Sequence, residues 1–316
     1  MTDSKDSPGA SRRTVLECMA WAGTGLVWTL AGGVPVSRLI GTAEAATGDA
    51  AAATGFSFVQ ISDSHIGFSK PANPDARATL KLAVDQIASF PEKPAFLIHT
   101  GDISHLSRAN EFDDASQLIG STKLDAHFIP GEHDIIDENN GKAYKERYGK
   151  GALGDGWYSF DQAGVHFIGL VNVVDLKGSG FGNLGTDQLA WLAADLKGRA
   201  ASQPIVVFSH IPLYVLYEPW GWGTQDGIQA LGMLKRFGSV TVLNGHIHQL
   251  AQKVEGHMTF HTAMSTAFPM PAPGTAKSPG PKLVPADQLR SMLGLSSLKF
   301  TRGKEQLAIV DRTLAA

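Results

Sequence analysis

Five short apolar runs in this chain end in clusters of aspartate, glutamate and histidine, and no other feature narrows its fold so much. FSFVQI leads into Ser62-Asp63-Ser64-His65, and AFLIH into Thr100-Gly101-Asp102. AHFIP leads into Gly131-Glu132-His133-Asp134, PIVVF into Ser209-His210, and SVTVLN into Gly245-His246-Ile247-His248. A further run, VHFIGLVNV, carries no such cluster. Runs of this length, rich in β-branched and aromatic residues, read as buried strands. Between the first two, Asn73-Pro74 reads as N-cap and first position of a helix with Leu80, Ala83, Val84 and Ile87 on one face. Another helix is expected after Thr186, with Leu189, Leu192, Ala193 and Leu196 aligned. Strands separated by helices imply an α/β layered fold, and open sheets of that kind gather their sites at strand carboxyl ends.

Each cluster alone is ambiguous. A lone Asp-x-His is commonly a turn with a capping carboxylate, and a lone His-x-His is commonly surface. Five in succession, each directly after an apolar run, point to a metal site built from Asp63, His65, Asp102, Glu132, His210, His246 and His248. The one cysteine, Cys18, lies in a segment read below as cleaved, so the donors must be imidazoles and carboxylates. Glycines beside Asp102, Glu132 and His246 are expected to permit tight turns. Asp134 follows His133 and either orients its imidazole or caps a turn.

The order D-x-H, G-D, G-E-H-D, H and G-H-x-H resembles the calcineurin-like metallophosphoesterase superfamily, whose third motif is G-N-H-D/E. The resemblance runs over about residues 56–263 and is strongest to the class III cyclic-nucleotide phosphodiesterase branch and related exported phosphoesterases. It implies an α/β four-layer α-β-β-α metallophosphoesterase sandwich with two divalent or trivalent metal ions, Mn, Fe or Zn. Carried over, Asp63, His65 and His248 would hold one ion, His210 and His246 the other, and Asp102 would bridge them. His133 would sit over the phosphate as hydrogen-bond donor or general acid. The implied reaction is hydrolysis of a small phosphate ester by a hydroxide bridging the two metals.

Glu132 departs from the pattern, standing where the family has Asn. Its carboxylate adds a negative charge around the metals, which should repel dianionic phosphomonoesters more than monoanionic diesters. Diesters, cyclic nucleotides among them, are therefore the favoured substrates. The alternatives are a phosphomonoesterase of the same fold and a catalytically impaired metal- or phosphate-binding protein.

Ser11-Arg12-Arg13-Thr14-Val15-Leu16 forms a twin-arginine pattern, followed by a Gly-rich apolar run from Met19 to Ile40 and a small-x-small site at Ala43-Glu44-Ala45. The expected organisation is a signal peptide at 1–45, a linker at 46–55 and the metallophosphoesterase domain at 56–316. The export machinery of the twin-arginine route is then a partner and the destination is periplasmic or secreted, and because that route carries folded proteins it would allow metals to be loaded before export. The glycines of this run, with Pro35 and Arg38, make a poor spanning helix, so no stable membrane span is expected in the mature form. Acidic and basic residues of the signal balance, leaving the formal charge of -3 with the domain, too acidic to bind a nucleic-acid polymer by counterion release.

Tyr217, Trp220 and Trp222 lie between two ligand clusters, where they either stack on a planar part of the substrate or pack their loop. His105 is a candidate to face the substrate and His99 reads as a satisfied core histidine, while His257 and His261 fall outside the ligand pattern, with a supporting role behind the metal site left open for His261. Gly180-x-Gly182-x-x-Gly185 matches a dinucleotide fingerprint, but the following strand has no acidic residue for a ribose, so a flexible loop is expected. The proline-rich stretch 268–286 should run as an extended surface segment.

Overall fold

The computed structural model describes residues 26–31, 34–39, 55–137, 141–174, 176, 180–304 and 306–315. Strands β1 (Leu26–Ala31) and β2 (Val34–Leu39) pair antiparallel within the expected signal segment. The twin-arginine pattern and the cleavage site lie outside the described residues. No helix among the described residues is long and apolar enough to cross a membrane.

Residues 53–316 form a separate unit. It begins with β3 (Phe56–Ile61), α1 (Ala76–Ala88), β4 (Phe96–His99), α2 (Ala109–Gly120), β5 (Asp125–Phe128) and α3 (Lys142–Tyr148). It continues through β6 (Tyr158–Gln162), β7 (Val165–Gly169), α4 (Thr186–Leu196), β8 (Ile205–Phe208), α5 (Gly227–Leu234) and β9 (Val240–Asn244). β10 (Ala251–Glu255), β11 (Met258–Thr262), α6 (Ala286–Leu289), β12 (Gly294–Phe300) and β13 (Ala308–Thr313) complete it. One sheet has the order β10-β11-β9-β8-β7-β6 and the other β13-β12-β3-β4-β5. The strands that end in ligand clusters, β3, β4 and β5 in one sheet and β8 and β9 in the other, run parallel to their ligand-bearing neighbours. Their carboxyl ends therefore emerge together.

Alternation along these strands produces the layers, because successive side chains of a strand point to opposite faces. Phe58, Ile98, Val206 and Leu243 face the other sheet, in a core with Phe96, Phe167 and Phe208. Val59, Ile61 and Leu97 face outward onto Leu80 and Val84 of α1 and Phe112 of α2. Val207 and Val242 do the same on the far side against Leu189, Leu192 and Leu234. The result is an α-β-β-α sandwich. Phe58 stacks on Phe96 at 5.0 Å, and both meet the edge of Phe167 at 5.4 and 5.2 Å, an arrangement that suits the ring quadrupoles.

Two expectations change, and the role left open for His261 is decided. The cap of α1 is Asp75, whose Oδ1 accepts from the Ala78 N–H at 2.9 Å. Asn73 is instead buried, and its amide donates to the Ala267 carbonyl at 2.6 Å, tying the entry of the helix to the chain beyond β11. His261 does not support the metal site. Its Nε2 lies 3.0 Å from Asp311 Oδ1, so it joins β11 of one sheet to β13 of the other. The proline-rich segment is exposed over 272–279 and lacks regular structure until α6, but it starts with Phe268 buried beside the ligand clusters.

Candidate metal centre

All seven candidate donors converge where the two sheets meet at their strand carboxyl ends, in two triads. Asp63, His65 and His248 form one, and Glu132, His210 and His246 the other, with the donor atoms of each within 4.8 Å of one another. Asp102 lies between them, its Oδ2 3.4 Å from His65 Nε2 and 3.5 Å from His210 Nε2. In the first triad His65 Nε2 is 3.2 Å from His248 Nε2, which is 3.2 Å from Asp63 Oδ1. In the second, Glu132 Oε2 is 2.9 Å from His210 Nε2, and Oε1 is 3.0 Å from His246 Nδ1.

The main chain pays for this convergence with unusual conformations. Asp63 (φ 53°), His65 (φ 39°), Asp102 (φ 54°), His246 (φ 70°) and His248 (φ 53°) all occupy the left-handed region, which costs a non-glycine residue about 1–2 kcal/mol. Such residues persist where surrounding bonds over-determine them. Asp63 N–H donates to the Gly101 carbonyl at 3.0 Å and His65 N–H to the Asp102 carbonyl at 2.9 Å. His246 N–H donates to the Asp63 carboxylate at 3.1 Å, and His133 N–H to Asp102 Oδ1 at 2.9 Å. Gly101 has the positive φ (92°) expected of a tight turn, and a Cβ there would come within 2.5 Å of His210 Nδ1. Gly131 lacks a positive φ. It is required because a Cβ would collide with Asp102 Oδ1.

The donor set fits a metal on an observation independent of any pattern. Glu132 Oε2, His210 Nε2 and His246 Nδ1 are buried and make no hydrogen bond despite their close approach. Buried polar atoms are normally paired, and orphaned ones demand an ion, a water or a functional reason. The charge balance agrees. Burial would lower the His210 pKa, but Asp102 and Glu132 outweigh it and hold the imidazole well above its ordinary value. Burial would raise Glu132, but His246 and His210 hold it well below the usual carboxylate range. Burial likewise raises Asp63, and His248 and His210 more than offset that. The pocket thus favours ionised carboxylates and attracts a cation to the imidazole nitrogens between them.

Of the nitrogens facing away from the centre, His210 Nδ1 donates to the Thr100 carbonyl at 2.7 Å and His248 Nδ1 to the Phe268 carbonyl at 2.5 Å. Such partners fix tautomer and ring orientation. Phe268 also lays its ring on His65 at 4.8 Å and on His248 at 4.6 Å. No signal in the sequence marks it; it lies six residues beyond β11, the strand that pairs with β9.

His133 is partly exposed beside the centre, a ring nitrogen within 4.8 Å of carboxylate oxygens of Asp102 and Glu132, with Nδ1 2.8 Å from the His105 carbonyl. Burial would lower its pKa, but Asp102, Glu132 and that carbonyl raise it above the ordinary value. Asp134 does not orient this ring. Its oxygens accept from the N–H groups of Ile103 (3.0 Å), Ser104 (2.8 Å) and Gly131 (2.9 Å) and from the Ser104 hydroxyl, so it stitches the Asp102 loop to the Glu132 loop. Burial and the neighbouring Asp102 push its pKa up to about 7. His99 is buried, takes the Gly101 N–H on Nδ1 at 3.2 Å and places Nε2 2.6 Å from Ser64 Oγ. His105 stacks on His133 at 4.9 Å.

Of the aromatic trio, Trp222 is buried, 6.5 Å from His246, and packs the loop. Trp220 lies edge-on to it at 4.9 Å and meets Tyr217 at 5.2 Å, and both are partly exposed. The segment with the Gly180 motif pairs through Gly182 N–H with the Gly223 carbonyl at 2.9 Å, tying it to this aromatic loop.

A four-layer sandwich with an Asp/Glu/His centre at the joint between its sheets defines a metallophosphoesterase, a metal-dependent phosphoric ester hydrolase. The chain belongs to the calcineurin-like phosphoesterase family, whose model matches residues 56–250. It is 28% identical over 207 residues to a glycerophosphodiester phosphodiesterase of Enterobacter lignolyticus, covering 62% of this chain and 71% of that one. It is 24% identical to a probable cyclic nucleotide phosphodiesterase of Vesicomyosocius okutanii, over 62% and 80% of the two chains. Its fold is similar to that of a dimetal phosphatase from Danio rerio, with a TM-score of 0.58, 16% identity and coverage of 81% and 98%.

Proposed function

We propose that this protein is an exported dinuclear phosphodiesterase. The dinuclear part of the reading is carried by Asp102 Oδ2, which lies 3.4 and 3.5 Å from one histidine of each triad, so that it would be available to an ion held by either. Asp63, His65 and His248 would hold one ion and Glu132, His210 and His246 the other, with Mn, Fe and Zn all suited to imidazole and carboxylate donors. Two such ions, when bound, would polarise phosphoryl oxygens and acidify water. The chain's own contribution is placement and proton transfer. With Nδ1–H donated to the His105 carbonyl, His133 would carry on Nε2 the proton given to the leaving oxygen as an oxygen from water bonds to phosphorus and the P–O bond to the leaving group breaks; Asp102 and Glu132 nearby favour the protonated ring. Trp220 and Tyr217 offer partly exposed rings for a planar leaving group.

Diesters are the favoured substrates because Glu132 turns both oxygens inward, to His210 and His246, and adds a charge that a dianionic monoester meets at close range. The names of the Enterobacter and Vesicomyosocius relatives, both phosphodiesterases, support the same class. The test is a rate comparison of bis-aryl diesters, cyclic nucleotides and aryl monoesters, with elemental analysis of the purified protein. Diester turnover with two metal equivalents is the expected result, and metal binding without any turnover would reject the reading. Replacing Glu132 by Asn should raise the monoester-to-diester ratio of kcat/KM about tenfold, equivalent to roughly 1.4 kcal/mol of relieved repulsion. An unchanged ratio would remove Glu132 as the source of preference.

The export half of the proposal rests on the twin-arginine pattern at residues 11–16 and the small-x-small site at 43–45. Arg12→Lys with Arg13→Lys should leave the protein unprocessed inside the cell. Processing and release of that variant would refute this route.

A further inference from the structure

Three candidate ligand histidines point Nε2 into the centre, and their outer nitrogens are not supported alike. His210 and His248 rest Nδ1 on main-chain carbonyls, those of Thr100 and Phe268. His65 has no carbonyl there. Its Nδ1 faces another imidazole nitrogen, Nδ1 of His105, at 3.5 Å. A ligand that gives Nε2 to a metal keeps its proton on Nδ1, and because His65 is buried, that proton needs an acceptor.

We propose that His105 is a positioning residue for the metal centre, accepting the Nδ1–H of His65 and thereby fixing the tautomer and aim of that ligand. The assignment rests on the reading of His65 as a metal ligand. His105 is held for the task on several sides. Its N–H donates to the Ile66 carbonyl at 2.9 Å, its ring lies edge-on to Phe68 at 5.2 Å, and it stacks on His133 at 4.9 Å, 16° from coplanar. The Phe68 ring meets Phe268 at 4.3 Å, and Phe268 covers His65, so the pair of imidazoles sits inside an aromatic collar. With Nδ1 engaged as acceptor, the proton of neutral His105 is on Nε2. His105 thus supports the first triad through its side chain and the His133 proton donor through its carbonyl.

Outer partners of metal-bound histidines typically contribute about 10–100-fold in metal affinity. The test is competition of the full-length protein against a chelator with Zn2+ as probe, in His105→Ala, His105→Phe and His105→Gln. His105→Ala and His105→Phe should each weaken one of two Zn2+ equivalents by about 10–100-fold, leaving the other unchanged. His105→Gln, whose amide oxygen can accept the same proton, should restore most of the loss. Thermal melts of the zinc-free forms separate this from packing, because a ring that merely fills space would be rescued by Phe and not by Gln. Retention of both equivalents in His105→Ala, or rescue by Phe alone, overturns the proposal while leaving the dinuclear reading intact. If the unaltered protein binds no Zn2+, the dinuclear reading fails and the proposal fails with it.

Discussion

Replacing Asp102 by Asn is expected to abolish hydrolysis while leaving the protein folded. Asn is among the few residues that tolerate the left-handed backbone found at position 102, and its amide oxygen can still accept the His133 N–H that Asp102 Oδ1 holds at 2.9 Å. What is lost is the anionic Oδ2 between His65 and His210. Each polarising metal contact contributes several kcal/mol to phosphoryl transfer, and each 1.4 kcal/mol is about tenfold in rate. The expected fall in kcat/KM is on the order of 10³-fold or more, accompanied by loss of at least one metal equivalent at an unchanged far-ultraviolet spectrum. A variant that keeps both its metals and a tenth of its activity would mean that Asp102 is not the shared ligand.

His133→Ala should lower kcat by roughly 10²–10⁴-fold on diesters with alkyl leaving groups, the range for loss of a general acid. The same variant should lose far less on a bis-nitrophenyl diester, whose leaving phenolate needs no proton. The pH profile carries the sign. His133 acts protonated, so wild-type activity should decline as pH rises through its elevated pKa, and that alkaline limb should vanish in the variant. Equal losses on both leaving groups would assign His133 to binding rather than to proton transfer.

The carboxyl-end rule made the convergence of the seven donors legible in the sequence, because parallel strands with a cluster after each deliver those clusters to one edge. The order of the apolar runs likewise foretold layers, since FSFVQI and PIVVF alternate between partners on two faces once a second sheet exists. The residues that escaped are those whose role depends on distant chain. Asn73 looks like a cap until Ala267 arrives to take its amide. Asp134 looks like a partner for His133 until three N–H groups from two loops claim its oxygens. Phe268 opens a proline-rich stretch, and only the β11–β9 pairing brings its carbonyl beneath His248. Neither sequence spacing nor hydropathy encodes such encounters.

The strained ligand turns also join distant parts of the chain. The bond from His246 N–H to the Asp63 carboxylate spans 183 residues, and the pairing of His65 with His248 spans the same distance. Closing loops of that length costs entropy before any contact repays it. Neither sheet contains a complete triad, since Asp63 and His65 follow β3 of one while His210, His246 and His248 follow β8 and β9 of the other. A complete triad therefore requires both sheets to be in place. Each half of the domain alone would offer an ion an incomplete set of donors, so a bound ion would tie the two sheets to one another.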